Sequence, residues 1–136
     1  MDMIKSYRIS YDSSGSEIEA LDLESLGDGL YRLHMTPLFF EEISFGDIIE
    51  AEMGNDDVLF YRRIVKKSEF KRFDWILSKK VTDSPEFQYF IENITDLSGH
   101  CEQVFGGVLI VYLPISCNVD INMELQKVIE CVSRKE

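Results

Sequence analysis

The apolar residues of this chain change their period near residue 68, and that change constrains the fold more than any single motif. Before it, side chains alternate. Tyr7, Ile9 and Tyr11 do so in "IKSYRISY", and Ile18 and Ala20 precede the Leu21, Leu23 pair in "EIEALDLES". In "LYRLHM", Leu30, Arg32 and His34 oppose Tyr31, Leu33 and Met35. A period of two marks strands, whose successive side chains point to opposite faces. Turn chemistry divides them at "DSSG" (12–15), "GDG" (27–29) and "GNDD" (54–57), the last leading into "VLFYRRIV". With a strand through Ile48, Ile49, Ala51 and Met53, the spacing predicts an antiparallel curled sheet or small barrel over 1–67.

After residue 68 the pattern becomes mixed. "EFKRFDWILSK" reads as a strand with Phe70, Arg72, Asp74 and Ile76 on one side, and Lys71, Phe73, Trp75 and Leu77 on the better buried one. A helix follows. Ser84 is placed as its N-cap, Pro85 at the first helical position and Gly99 just past the end, and Phe87, Phe90, Ile91, Ile94 and Leu97 form one apolar stripe. "CEQVFGGVLIVYLP" predicts two strands around Gly106-Gly107, and a last helix buries Leu125, Val128, Ile129 and Val132. The order over 68–136 is β-α-β-β-α, a ferredoxin-like unit lacking its last strand, a vacancy that a strand of the first half could fill. With 136 residues and no linker beyond "KKS" at 66–68, a single α+β domain is expected.

The net charge of −11 is unevenly distributed. From Asp12 to Asp57 there are 13 acids against one base, Arg32, whereas from Arg62 to Lys80 there are 8 bases against 2 acids. Such an acidic field repels phosphates and anionic lipid and speeds encounter with a basic partner, so neither nucleic acid nor membrane is expected. Neighbouring strands also place such segments opposite one another, and cross-strand neutralisation is expected for most of these charges. The bases interleave with Phe70, Phe73 and Trp75, as in single-strand nucleic acid binders, but those aromatics alternate as core residues do. An acid at position 2 and no long apolar run read as a cytoplasmic protein.

Catalytic apparatus is sparse. His100 and Cys101 are adjacent, and neighbours on a strand point apart, which disfavours a nucleophile pair. Cys101, Cys117 and Cys131 lack metal-ligand or redox spacing, so no metal, cofactor or disulfide is expected. The richest stretch is "HMTPLFFEEISFGDIIEAE", residues 34–52. Pro37 should end strand pairing near Thr36, and "LFFEE" is then free to form a short helical turn that lays Phe39 or Phe40 over a barrel end. Gly46 is expected at positive φ, with Asp47 capping the turn.

"LESLGDGLYRLHMTPLFFEEISFGDIIEAE", followed by "SGHCEQVFGGVLIVYLP", resembles bacterial proteins grouped as domain-of-unknown-function family 4265. Glu24, Tyr31, Leu33, Pro37, Phe39, Gly46, Asp47, Gly99, Cys101 and Pro114 stand at positions matching that family's pattern. The chain departs from it at Leu26-Gly27, where a tryptophan would follow the acid. The resemblance implies a shared fold and brings no activity with it.

The expectation is therefore a non-enzymatic bacterial binding protein, immunity-like or regulatory, that engages a basic protein through Glu41, Glu42, Glu50, Glu52, Asp56 and Asp57. The competing expectation is a small-molecule-binding or hydrolytic domain with a cleft between its halves, lined by Glu24, Tyr31, Phe39 and Phe40.

Overall fold

The structure, a computed structural model, describes residues 4–12 and 14–135. Asp2, the acid noted above at position 2, and Ser13 of the "DSSG" turn lie outside the described residues. The chain is α+β, and its contacts divide into two compact units, Met1–Glu69 and Phe70–Glu136.

In the first unit, β1 (Ile4–Ser10), β2 (Ile18–Gly27), β3 (Leu30–Leu33), β4 (Ile48–Met53) and β5 (Val58–Lys66) form a closed barrel in sequence order. Each consecutive pair is antiparallel. An odd number of strands in such a meander leaves the first and last pointing the same way. The closing pair is accordingly parallel, with Arg8, Ile9 and Ser10 beside Val58, Leu59 and Phe60. The barrel core holds Ile9, Leu21, Leu23, Leu33, Ile43, Ile49, Ala51 and Leu59. A fully buried aliphatic side chain of this kind contributes about 1.5–3 kcal/mol.

The alternation read in β2 is present, but its inward row is Glu19, Leu21 and Leu23, while Ile18 and Ala20 are exposed. The GNDD segment turns through a short 3-10 stretch, Asn55–Asp57, with Asp56 and Asp57 at positive φ. Aspartate tolerates that region better than most residues because its short side chain bonds locally.

The expected helical turn after Pro37 does not form; Leu38 and Phe39 lie in a bend, and Glu41 and Glu42 in a turn. Their backbone is held by side chains of the barrel instead, as described below. Phe40 does pack on the barrel, stacking on Tyr11 at 4.6 Å and meeting Tyr61 edge-on at 5.2 Å, whereas Phe39 is 68% exposed.

The second unit runs β6 (Phe70–Ile76), α1 (Lys79–Thr82), α2 (Pro85–Asp96), β7 (His100–Val104), β8 (Val108–Pro114) and α3 (Ile121–Ser133). Its sheet has the order β6-β8-β7, antiparallel throughout. This is the split β-α-β arrangement, in which the third strand enters between the first two. Among the described residues no strand of the first half fills the vacancy considered above: its five strands form the barrel, and this sheet has three. As the central strand, β8 is buried at every residue from Leu109 to Leu113, and Leu109, Val111 and Leu113 form the core with α2 and α3.

Helix α2 starts as its sequence dictates. The Ser84 hydroxyl accepts from the Phe87 amide at 3.1 Å, and Pro85 occupies the first turn, where no amide partner is needed. Asp120 caps α3 in the same way through the Met123 amide. Phe73 and Trp75 lie on the helix side of β6, packed against the core, as their alternation predicted.

Candidate functional site

Two buried carboxylates organise the loop between β3 and β4. Asp47 is fully buried, and its oxygens accept from the Ser44 amide at 3.0 Å, the Ser68 amide at 2.8 Å and Lys67 Nζ at 3.1 Å. It caps the turn as expected, with Gly46 at φ 88°, and it also ties that turn to the chain leaving the barrel. Glu19 is 8% exposed on the inward row of β2. It accepts the Tyr11 hydroxyl at 2.5 Å and the amides of Leu38 and Phe39 at 3.1 and 3.4 Å. Burial, and then the hydrogen bond to Glu19, push the Tyr11 phenol far above its ordinary pKa, so it is a fixed hydroxyl donor. Both carboxylates have their lone pairs occupied by the fold, which suits anchoring rather than chemistry. The sequence reading missed Glu19, because its partners stand 8 to 20 residues away.

The acidic residues singled out in the sequence divide into three settings. Glu50 and Glu52, on the outer face of β4, meet β5: Glu50 pairs with Arg63 at 3.2 Å and Glu52 with Arg62 at 2.7 Å. This is the cross-strand neutralisation expected from the segmented charge. Exposed pairs of this kind are worth about 0–1 kcal/mol each, so they leave the carboxylates available to compete for another cation. Glu41 and Glu42 are exposed on the β3–β4 loop, and the Glu42 carbonyl accepts from Lys67 Nζ at 2.8 Å. Asp56 and Asp57 are exposed in the β4–β5 turn, where the Asp56 carbonyl accepts from Arg8.

The strand β4 continues past the end of β3, and a groove of about 600 Å³ opens there. Asp28, Glu50 and Glu52 line it, with Arg62 as the one base and Tyr31 and Met53 as apolar walls. Two of the six acids named from sequence therefore share one concavity. Asp28 and Met53 were not anticipated, since only the pairing of β3 with β4, Leu30 opposite Glu50, brings the β2–β3 turn beside the end of β4. The Ala51 amide donates to the Gly29 carbonyl at 3.0 Å and fixes that approach.

The four residues expected at a cleft are not gathered into one constellation within the barrel unit. Glu24 faces outward across from Arg32, accepting from Arg32 Nη1 and pairing with His34 Nε2, both at 2.9 Å. The bond from His34, followed by that from Arg32, holds its carboxyl below the ordinary range. Tyr31 lies on the opposite face of β3, packed against the core and edge-on to Tyr7 at 5.4 Å. Phe40 joins Tyr11 and Tyr61, and Phe39 borders a depression beside Ser16–Ile18.

The basic segment is largely taken up by local partners. Arg62, Arg63 and Lys67 pair as above, Lys71 Nζ donates to the Cys117 carbonyl at 2.7 Å, and Arg72 binds Asp74 through two nitrogens at 2.8 and 3.0 Å. His100 and Cys101 point apart as expected. The Cys101 thiol packs on the helix side, where burial pushes its pKa up to about 11, while His100 lies 3.2 Å from Glu102 on the other face. A thiol so raised is protonated at neutral pH and a poor nucleophile. Among the described residues, no group of three or more His, Cys, Asp or Glu side chains is placed to hold a metal ion, and no helix is long and apolar enough to cross a membrane.

The chain is similar in fold to a crystal structure described as that of a hypothetical protein from Neisseria gonorrhoeae. The TM-score is 0.59 at 22% identity, over 95% of this chain and 89% of that one. No curated protein matches it. The family described as a domain of unknown function, DUF4265, matches residues 19–130, a span that takes in β2 to β5 of the barrel and nearly all of the second unit. The chain therefore belongs to the DUF4265 family.

Proposed function

We propose that this protein is a non-enzymatic bacterial binding protein, cytoplasmic and immunity-like or regulatory, which engages a basic protein through the acidic surface of its barrel. The observation that carries this reading is the groove at the end of β3, where Asp28, Glu50 and Glu52 converge around Tyr31 and Met53 against one arginine. A lysine or arginine side chain suits such a site: its stem covers the tyrosine and methionine while its head competes with Arg62 for Glu52 and with Arg63 for Glu50. Glu41, Glu42, Asp56 and Asp57 extend the field that steers a cation toward the barrel.

Glu24, held by Arg32 and His34 at 2.9 Å, is a carboxylate engaged in ion pairing, which suits a binding surface better than acid–base chemistry. Three free cysteines are in keeping with a reducing compartment.

The test is affinity capture from lysate at low and moderate salt, comparing the protein with a variant carrying Glu50→Lys, Glu52→Lys and Asp28→Lys. A stoichiometric basic protein held by the first, lost by the second and released as salt rises is the expected result. Identical captured material in both would refute the reading.

A further inference from the structure

The outer surface of the second unit carries a groove that the barrel reading does not use. It runs between α2 and α3 as two adjoining cavities of about 450 and 290 Å³, which share Phe90, Asn93 and Glu124. Its floor is apolar: Phe90, Ile94 and Ile121 are buried core residues whose outer edges form it. Its rim keeps Tyr89 66% exposed and Val119 37% exposed.

Its lining is predominantly acidic: Glu86, Asp96 and Glu124 stand against one base, Lys127, which pairs with Glu124 at 3.4 Å. Helices α2 and α3 carry five acids, Glu86, Glu92, Asp96, Glu124 and Glu130, against the single base Lys127. Arg134 and Lys135, just beyond α3, pair with Glu130 and Glu86, yet the acids still outnumber the bases five to three. At the groove wall Glu86 spends one oxygen on Lys135, and its Oε2 is buried with no hydrogen-bond partner among the described residues. An ionised oxygen without a donor is costly, and a cation entering the groove would satisfy it.

We propose that this groove docks a basic amphipathic helix of a partner protein, its apolar stripe on Phe90 and Ile121 and its lysines or arginines toward Glu86, Asp96 and Glu124. A helix fits better than an extended segment. The backbone groups of α2 and α3 are used within the helices, so the apolar floor has nothing to offer the amides of a strand, whereas a helix satisfies its own. The helix ridge also packs into the furrow between two others.

The experiment uses the full-length protein and a synthetic leucine/lysine amphipathic peptide of about 14 residues, long enough to span about 20 Å at 1.5 Å per residue. Fluorescence anisotropy gives its Kd for the protein, for Tyr89→Lys with Asn93→Lys, and for Glu50→Lys with Glu52→Lys on the barrel. Tyr89 and Asn93 are exposed, so the first variant keeps its fold, which far-UV circular dichroism verifies. Binding weakened at least about tenfold, or about 1.4 kcal/mol, by the groove variant and changed little by the barrel variant is the expected result. A second peptide with glutamates in place of lysines should bind at least about tenfold more weakly to the unaltered protein. Absence of binding, equal affinity in the groove variant, or loss in the barrel variant alone overturns the proposal. The last outcome would leave the barrel reading standing, and failure of the barrel variant to lose its basic partner would leave this one.

Discussion

At the residue scale the carboxylates separate into those the fold consumes and those it presents. Asp47 is the clearest of the first kind, accepting two backbone amides and a lysine while fully buried. Removing it strands the Ser44 and Ser68 amides, and a buried unsatisfied donor costs about 1–3 kcal/mol. Lys67, 60% exposed, returns to water and adds little. Asp47→Ala is accordingly expected to lower unfolding stability by about 3 kcal/mol in urea titration. A loss below about 1 kcal/mol would mean that water takes the carboxylate's place. The capping half of this arrangement was legible, because a glycine at positive φ followed by aspartate is local turn chemistry. The tie to Ser68 was not, since it spans 21 residues and exists only once β4 and β5 pair, with Ile48 opposite Lys66. Glu19 was missed for the same reason: in an alternating strand an inward acid looks like an outward one until Tyr11 and the Leu38 and Phe39 amides, 8 to 20 residues away, arrive.

At the element scale, the strands and helices follow their periodicity, and departures fall where the chain turns. The helix α2 was readable from Ser84 to Gly99, because cap, proline and stripe all act within a few residues of one another. The segment after Pro37 was not, because its conformation is imposed by Glu19 and by the stacking of Phe40. The β7–β8 turn shows a further local conflict. Phe105 and Gly106 both have positive φ, 52° and 78°, and Phe105 is 82% exposed. A bulky residue in that region is disfavoured by about 1–2 kcal/mol, and exposure returns nothing for it. Phe105→Asn, which suits the same backbone, is expected to raise stability by about 1 kcal/mol, measured as a higher urea midpoint with unchanged slope. An unchanged or lower midpoint would show that the aromatic ring makes a stabilising contact of its own.

At the scale of the whole molecule, the sequence reading expected one domain, while the contacts divide at Glu69 and Phe70 into two units with separate cores. Periodicity marked the same boundary, since it records where strand packing on strands gives way to helices packing on a sheet. What periodicity does not reveal is whether the two cores melt together, and Asp47→Ala offers a way to find out. Its damage is confined to the barrel, between the β3–β4 loop and Ser68. Amides of β2 and β4 should then exchange faster with deuterium, in step with the lost stability, because exchange through global opening follows the unfolding free energy of the unit concerned. Those of β8 and α2, whose core contains Leu109, Val111, Phe90 and Ile94, should keep their protection. Equal acceleration in both would establish a single cooperative domain, in which a partner held at the acidic groove also stabilises the helical face. Selective acceleration would make the units separate thermodynamic bodies, so that binding at the barrel and binding between α2 and α3 would each stabilise only the unit that holds it.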